Sequence, residues 1–502
     1  MEILNALVGA IPEILTWQVV LAMVAGLIGG IVLGAIPGLG APMGIAMLIP
    51  LTYGLEPLVA LGMLAGVHNG ASFGGAIPAV LLRIPGTTSA IFTTLDGYPL
   101  ARKGKAGAAV WLAAVSSAVG GVLSALSLII LAPMLMLVTL AFGPPEIFWV
   151  TVFGLASVSI LLGDRPGKGV IAACLGLLIG LVGQDRINGQ ERFVFDQIEL
   201  LSGPLLVAVL TGVYALPPAW NMIEKALGAN FAQTKIEKPE KGLWTVKRLL
   251  PVWLKSSVIG IVLGILPGSS GGSSSAIAYN EARRSSKFPE EFGHGSVEGL
   301  AAAETGNNAD NAAAMIPALT LGVPGSGVAA LMLGALLIHG LHPGPELFQD
   351  TPDIAYGYML QMFITSALIL PFGGYFATKL FAKSLMIPPV MLGVLIIAIT
   401  VLGIYTVNNS MFDVYLLVGF GVLGYFMEKL RYPAAPLVLG LVLGSVAEYN
   451  LRLSMIISNN DWTVLFTRPI SLIIVALITL VVVFPVAGRL MGARKAAAGA
   501  TR

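Results

Sequence analysis

The feature that most constrains this chain is the recurrence, along its whole length, of apolar stretches long enough to cross a bilayer. Examples are Val19 to Ile36, Val110 to Phe142, Leu385 to Thr406 and Pro469 to Phe484. Only 11% of the 502 residues are charged, whereas a soluble domain carries about 25%. We therefore predict an all-α polytopic membrane protein in a lipid bilayer, with about 10 to 12 transmembrane helices.

An internal repeat divides the chain. The segment from Gly30 to Gly38 (GIVLGAIPG) recurs from Gly260 to Gly268 (GIVLGILPG). A second block follows each copy in the same order and at one constant offset: Asn69, Ile77, Pro78, Ala79, Leu82, Pro85 and Gly86 match Asn308, Ile316, Pro317, Ala318, Leu321, Pro324 and Gly325. Two blocks in the same order predict two copies of one structural unit.

The distribution of basic residues predicts that the two copies lie in opposite orientations. The loop after the first copy contains Arg102, Lys103 and Lys105, whereas the matching loop 339–353 has no Lys or Arg. Inside the copies the pattern reverses, because only the second contains Arg283, Arg284 and Lys287. Since Lys and Arg favour cytoplasmic loops, we expect two inverted repeats with broken or re-entrant helices, an architecture typical of secondary transporters.

These patterns predict five segments. We expect a first membrane half at 17–220, a cytoplasmic linker at 221–248 and a second membrane half at 249–384. Further transmembrane spans at 385–490 and a basic cytoplasmic tail at 491–502 complete the chain. Cys174 is the only cysteine, so no disulfide within the chain is possible.

Four Pro-Gly breaks are the candidate substrate site. Proline blocks helix continuation, and the small residues after it leave backbone N–H groups uncovered, so a half-helix starting there could bind an anion without a buried Lys or Arg. The alternative is that the breaks are close-packed turns between helices. The candidate substrate-binding residues, including two polar residues of the intervening helix, are Gly38, Gly40, Asn69, Ser72, Gly86, Thr87, Thr88, Ser89, Gly268, Ser269, Ser270, Gly325 and Ser326.

A polar run from Glu304 to Asn311 lies within an otherwise apolar segment. Amide and carboxylate oxygens are hard ligands that suit a cation such as Na⁺ or a proton relay. We expect a coupling ion at Asn307, Asn308, Asp310 and Asn311, with Na⁺ itself at the first three. A polar contact between helices is the alternative.

Three other patterns have simpler explanations. Glycines four residues apart (Gly26, Gly30 and Gly34, then Gly260 and Gly264) predict close helix packing. The Gly-x-Ser-x-Gly pattern around Ser72 would indicate a hydrolase only on a strand–turn–helix, so an intramembrane serine hydrolase is a third-ranked alternative. Arg83 either pairs with a substrate carboxylate or extends to the membrane interface. The sequence has no basic patch that indicates nucleic-acid binding.

The motifs together resemble a known family. The run from Gly34 to Gly40, the His68-Asn69-Gly70 segment and the run from Pro85 to Ser89 are similar to the large membrane subunit (TctA type) of the tripartite tricarboxylate transporters. The segments Leu266 to Gly268 and Glu304 to Asn311 show the same resemblance, which covers nearly the whole chain.

The resemblance implies a non-enzymatic transporter in the bacterial inner membrane. It implies two protein partners: a small membrane subunit of about four spans and a periplasmic solute-binding protein that delivers the substrate. It also implies symport of di- or tricarboxylates such as citrate, driven by a Na⁺ or H⁺ gradient and with no other cofactor. An uncoupled organic-anion channel or exporter using the same anion sites is the alternative function.

Overall fold

A computed structural model of the chain describes residues 2–161, 166–185, 187–225, 246–268, 271–374 and 389–482. The described residues are helical apart from loops and one two-residue hairpin, Gly183–Gln184 with Glu191–Arg192, which confirms the predicted all-helical class. The helices are α1 Glu2–Ile14, α2 Trp17–Ala35, α3 Ala41–Thr52, α4 Pro57–Gly74, α5 Ala76–Leu82, α6 Ile91–Leu100, α7 Ala106–Thr139, α8 Pro144–Leu161, α9 Pro166–Gly180, α10 Leu206–Lys225, α11 Val246–Ile265, α12 Gly271–Ser285, α13 Val297–Ala313, α14 Met315–Leu321, α15 Gly327–Ile338, α16 Pro345–Asp350, α17 Pro352–Gly373, α18 Pro389–Asn408, α19 Met411–Lys429, α20 Ala434–Ile457, α21 Val464–Thr467 and α22 Pro469–Val482.

Eight helical segments among the described residues are long and apolar enough to cross a membrane, fewer than the ten to twelve predicted. They include α2, α11 and α17. Five further apolar helices, such as α3 and α15, have 10 to 17 residues. The lower number has a physical cause: the Pro-Gly breaks end helices early, and a helix of 12 residues is about 18 Å long against a hydrocarbon core of about 30 Å.

The chain forms two compact units. The first comprises the chain up to Leu137 and the segment Leu205–Phe426, and it contains both copies of the repeat. The second comprises Val138–Pro204 and the chain from Met427 onward. The candidate site residues all belong to the first unit.

The second unit contains a charged cluster around the hairpin. Burial disfavours the ionised form of Asp185, but its carboxylate accepts the backbone N–H groups of Ile187 and Asn188 and pairs with Arg192 and Arg452. These partners outweigh burial, so the pKa of Asp185 lies well below its usual range. The cluster ties the hairpin loop to α20, which carries Arg452.

The two copies fold into the same order of elements within the first unit. Helices α2 to α5 of the first copy correspond to α11 to α14 of the second. The glycine at the first Pro-Gly break of each copy has a left-handed φ, +91° at Gly38 and +86° at Gly268. The short fourth helix also ends alike, with a left-handed residue at Arg83 (φ +60°) and at Gly322 (φ +67°).

The glycines spaced four residues apart allow close contact between helix backbones, as predicted. In the first copy, a Cβ added at Gly30 would lie 2.5 Å from the carbonyl oxygen of Val67 on α4. Gly70 faces α2 in the same way, against the Leu27 carbonyl. In the second copy, a Cβ at Gly264 would lie 2.8 Å from the carbonyl oxygen of Asp310 on α13. The polar residues of α4 and α13 are therefore held against the helices that precede the first break of each copy.

We expect Gly30→Ala to destabilise the protein by about 2 kcal/mol, because the added methyl group must push α2 away from α4. Gly29→Ala is the matched control, since a Cβ there has no atom within 4 Å and alanine favours the helix by up to about 1 kcal/mol. Thermal unfolding of the purified variants measures both effects. Equal melting temperatures for the two variants would contradict the packing described here.

Candidate functional site

The breaks of the first copy lie next to each other. A Cβ added at Gly40, the residue before α3, would lie 3.6 Å from the Thr87 side chain. Thr87 is also against Gly75, whose added Cβ would lie 2.5 Å from the threonine hydroxyl. The Pro37–Gly40 and Pro85–Ser89 segments therefore form one surface, although 45 residues separate them.

The second copy completes this surface. At Gly271, the first residue of α12, an added Cβ would lie 3.3 Å from the Cβ of Ser89 and would collide with the amide oxygen of Asn307. Residues of both copies thus converge in one place. We call Gly38, Gly40, Thr87, Ser89, Gly271 and Asn307 the loop junction.

The two copies differ in whether their N–H groups are available. The N–H of Gly268 donates to the Gly325 carbonyl at 3.0 Å, and that of Gly325 donates to Ala314 at 3.4 Å. In the part of the chain that the structure describes, the N–H groups of Gly38, Gly40 and Thr87 have no acceptor. Gly86 and Gly325 are bonded alike, and Ser326, the counterpart of Thr87, also has no acceptor for its N–H in the described ranges, so the clear difference between the copies is Gly38 against Gly268.

The remaining candidate substrate residues have varied surroundings. The hydroxyl groups of Thr87 and Ser89 lie 2.9 Å apart, and Thr88 is exposed. The N–H of Gly86 donates to the Gly75 carbonyl at 3.3 Å. Ser326 caps α15 by accepting the N–H of Ala329. Ser269 and Ser270 lie outside the described residues.

Side chains of α4 and α13 join in a buried amide network. Asn311 donates to the amide oxygen of Asn69 at 3.1 Å, and its own oxygen lies 3.1 Å from the Ser72 hydroxyl. Asn69 in turn donates to Thr365 of α17 at 2.8 Å. The Asn307 amide donates to the Ser72 carbonyl at 3.3 Å. The network links the two copies and places Asn307 between α4 and the loop junction.

The other two candidate ion ligands point elsewhere on α13. The Asp310 carboxylate accepts from Ser274 of α12 at 3.3 Å, whereas Asn308 donates to the Glu304 carbonyl of its own helix. The Asn308 amide oxygen is buried without a hydrogen-bond partner. Among the described residues no three His, Cys, Asp or Glu side chains come together, so a cation bound here would depend on amide, hydroxyl and carbonyl oxygens beside Asp310.

Comparison with known proteins identifies the family. Residues 20–439 match the sequence model of the tripartite tricarboxylate transporter TctA family. The chain belongs to this family. It is a multi-pass membrane component of a transport system and not an enzyme, as the resemblance of its motifs implied.

Two similar proteins come from Agrobacterium vitis. "Uncharacterized 52.8 kDa protein in TAR-I ttuC' 3'region" is 38% identical over 456 residues, 89% of this chain and 89% of the relative. "Uncharacterized protein in TAR-II ttuC' 3'region" is 41% identical over 216 residues, 42% of this chain and 87% of the relative. No solved structure matches the chain.

The surroundings of Ser72 fit this TctA-family assignment and contradict the hydrolase alternative. Ser72 lies inside helix α4 and not on a strand–turn–helix. Its hydroxyl lies 3.0 Å from the carbonyl oxygen of His68, and the His68 Nδ1 atom has no partner. The Gly-x-Ser-x-Gly pattern here reflects helix packing, because its glycines, Gly70 and Gly74, fit against α2.

Arg83 is exposed at the end of α5, with its guanidinium 5.9 Å from the centre of the Tyr98 ring. This placement favours the structural interpretation of Arg83 over a direct role in substrate binding.

Glu304 is a buried acid of this TctA-family chain whose partners could not be found from the sequence. It is fully buried in α13, where its two carboxyl oxygens accept from Thr93 and, at 2.9 Å, from Ser117. No basic side chain pairs with it in the described ranges. The signal in the sequence is an acid within an apolar segment, which marks a functional position in membrane proteins.

Asp96 of α6 joins the first copy to the loop before α13. Its Oδ1 atom accepts the N–H groups of Gly293, Gly295 and Ser296 at 2.8 to 2.9 Å, and its Oδ2 accepts from the Tyr279 hydroxyl at 2.8 Å. Successive backbone N–H groups of this kind form an anion-binding nest. The Asp96 carboxylate is therefore bound in an anion site that main-chain donors of the same protein form.

We expect Asp96→Ala to destabilise the protein by about 3 kcal/mol or more, because three N–H groups lose a charged acceptor. Tyr279→Phe removes one of the four hydrogen bonds and is expected to cost about 1 kcal/mol. Thermal unfolding in detergent measures the difference. Similar melting temperatures for Asp96→Ala and wild type would show that the nest contributes little.

Proposed function

We propose that this chain is the membrane transport subunit of a secondary active uptake system for di- or tricarboxylates. The observation that carries the proposal is the loop junction, whose first-copy breaks carry three N–H groups without acceptors in the described ranges and two hydroxyl groups, with no Lys or Arg among the six junction residues. Main-chain donors of this kind bind carboxylates, particularly at helix N-termini such as those of α3 and α12.

In the proposed mode of binding, the first-copy breaks hold the substrate. The N–H groups of Gly38, Gly40 and Thr87 and the hydroxyl groups of Thr87, Thr88 and Ser89 are its donors. Gly86, Gly268 and Gly325 are less available as donors, because their own N–H groups are already hydrogen-bonded. Weak, reversible binding suits transport, since a buried Lys or Arg would hold the anion more tightly.

A coupling cation, Na⁺ or H⁺, is proposed at Asn307, Asn308, Asp310 and Asn311. Asn307 is part of the loop junction, and Asp310 supplies a negative charge less than one turn from it on the same helix. A cation near this point would reduce the repulsion between a multiply charged substrate and the acidic side chains of α13. Asp310→Asn should therefore weaken gradient-driven uptake more than substrate exchange.

We propose that the two copies, in the halves 17–220 and 249–384, are inverted with respect to the membrane, with 221–248 as the cytoplasmic linker between them. The basic loops support this arrangement, and motion of the copies against the spans at 385–490 would give alternating access. The proposed location is the bacterial inner membrane, with the tail at 491–502 in the cytoplasm. The partners are a small membrane subunit and a periplasmic binding protein, as the three-component family implies.

Labelling of single cysteines tests the inversion in a background with Cys174→Ser. Cysteines at Arg102 and Arg283, both exposed, should react with a membrane-impermeant reagent from the cytoplasmic side. A cysteine at Gly340, in the loop after the second copy, should react from the opposite side. Reaction of Arg102→Cys and Arg283→Cys on different sides would rule out the inverted arrangement.

Uptake by vesicles containing both membrane subunits, with the binding protein outside, tests the function. Thr87→Val and Ser89→Ala should each raise the KM for the carboxylate about tenfold, because each removes a hydrogen bond to a charged group. Thr94→Val is the control, since that hydroxyl bonds only to the Ile91 carbonyl of its own helix. Citrate and other di- and tricarboxylates form the substrate panel.

The same assay separates symport from the alternative. Uptake by a symporter should stop when the Na⁺ and H⁺ gradients are both collapsed. An uncoupled organic-anion channel or exporter would continue to pass the anion down its own gradient.

A further inference from the structure

A basic cleft lies between the first half of α11 and the second half of α12. Its volume is about 360 Å³, and it is open at the end of the fold where α11 begins and α12 ends. Its charged lining consists of Lys247, Arg248, Lys255, Lys287, Glu281 and Glu298. The cleft is separate from the loop junction, because it involves neither the breaks nor Asn307.

The positive charges of the cleft are only partly neutralised. Arg248 pairs with Glu298 at 2.8 Å and with Glu291 at 3.1 Å. Within the described ranges, the three lysines form no ion pair. Glu281 is the only other acid in the lining, so the lysines leave an excess of positive charge that an anion could neutralise.

Lys255 is an exposed lysine well inside the apolar helix α11. It follows Val246, the first residue of α11, by nine positions, which is about 13 Å along the helix axis. A lysine side chain of about 6 Å cannot extend back over that distance to the end of the helix. Because α11 is apolar enough to span the membrane, this ammonium group needs a polar or anionic neighbour inside the cleft.

An apolar stripe runs beside the cleft on the same helix. Leu250, Leu254, Val258 and Val262 are spaced four residues apart, and each exposes about half or more of its surface, from 48% to 60%. Lys247, Pro251 and Lys255, which line the cleft, form the neighbouring row. A ligand held by the lysines would therefore lie directly beside a surface suited to hydrocarbon chains.

We propose that the cleft binds the headgroup of an anionic phospholipid whose acyl chains lie along the apolar stripe. The phosphate contacts Lys255 and Lys287, and Lys247 borders the headgroup near the start of α11. A free phosphate would use the lysines but not the stripe, so the stripe favours a lipid as the occupant. Basic pockets between membrane helices commonly bind acidic lipid headgroups.

Native mass spectrometry of the full-length chain in detergent, titrated with phosphatidylglycerol, tests the proposal. Lys255→Gln/Lys287→Gln should weaken the apparent affinity about tenfold, because each lysine contributes a factor of about three once salt screening is included. The charge-matched control is Arg102→Gln/Lys105→Gln, two exposed basic residues outside the cleft. Equal weakening in both double variants would reduce the effect to net charge and overturn the proposal.

Two further arms identify the occupant. Leu254→Asn/Val258→Asn should also weaken phosphatidylglycerol binding, whereas an effect of the lysines alone would indicate a soluble phosphate and overturn the lipid assignment. Zwitterionic phosphatidylcholine should bind the wild-type protein less tightly than phosphatidylglycerol does. The two lipids should bind the lysine variant with equal affinity. If the lysine variant instead binds lipid normally but no longer co-purifies with the small membrane subunit, the cleft is a protein contact and not a lipid site.

Discussion

The close approach of glycine-lined helices is the interaction on which the rest of this structure depends. Without a hydrophobic driving force between helices in lipid, association depends on packing and on polar contacts. Gly30 on α2 and Gly70 on α4 let these backbones meet without intervening side chains, and Gly264 does the same for α11 against α13. This contact brings the polar residues of α4 and α13 into the interior, where they bond to one another and to polar groups of neighbouring helices such as α17.

The breaks follow from the same packing. Non-helical backbone is tolerated at membrane depth only when it is buried in protein or lines a cavity. The second copy meets this requirement internally, because Gly268 and Gly325 are hydrogen-bonded to neighbouring backbone. The first copy leaves the N–H groups of Gly38, Gly40 and Thr87 without acceptors in the described part of the chain.

Much of the architecture was predictable from local patterns. The apolar stretches gave helices such as α2 and α7, and the four-residue glycine spacing gave the close helix contacts. The match between Asn69 and Asn308 identified the helices that carry buried polar residues in the two copies, α4 and α13. The partner of Asn69 on α13, however, is Asn311. The predicted ten to twelve spanning helices exceed the eight found among the described residues, because apolar length alone does not show where a Pro-Gly break ends a helix.

Contacts between the copies could not be predicted. Asp96 binds N–H groups about 200 positions away, and Glu304 accepts from Thr93 at a similar separation. Such pairs leave no periodic signal, and only an acid in an apolar segment marks them. The difference between Gly38 and Gly268 was also hidden, since both glycines follow a proline at matching positions and differ only in whether their N–H group finds an acceptor.

The most direct test is a cryo-electron microscopy map of the transporter with a bound tricarboxylate. We expect density for a carboxylate within about 3 Å of the N–H groups of Gly40 and Thr87, between the first-copy breaks and Asn307. Substrate density elsewhere, with the Gly40 and Thr87 segments packed against protein and inaccessible to ligand, would contradict it.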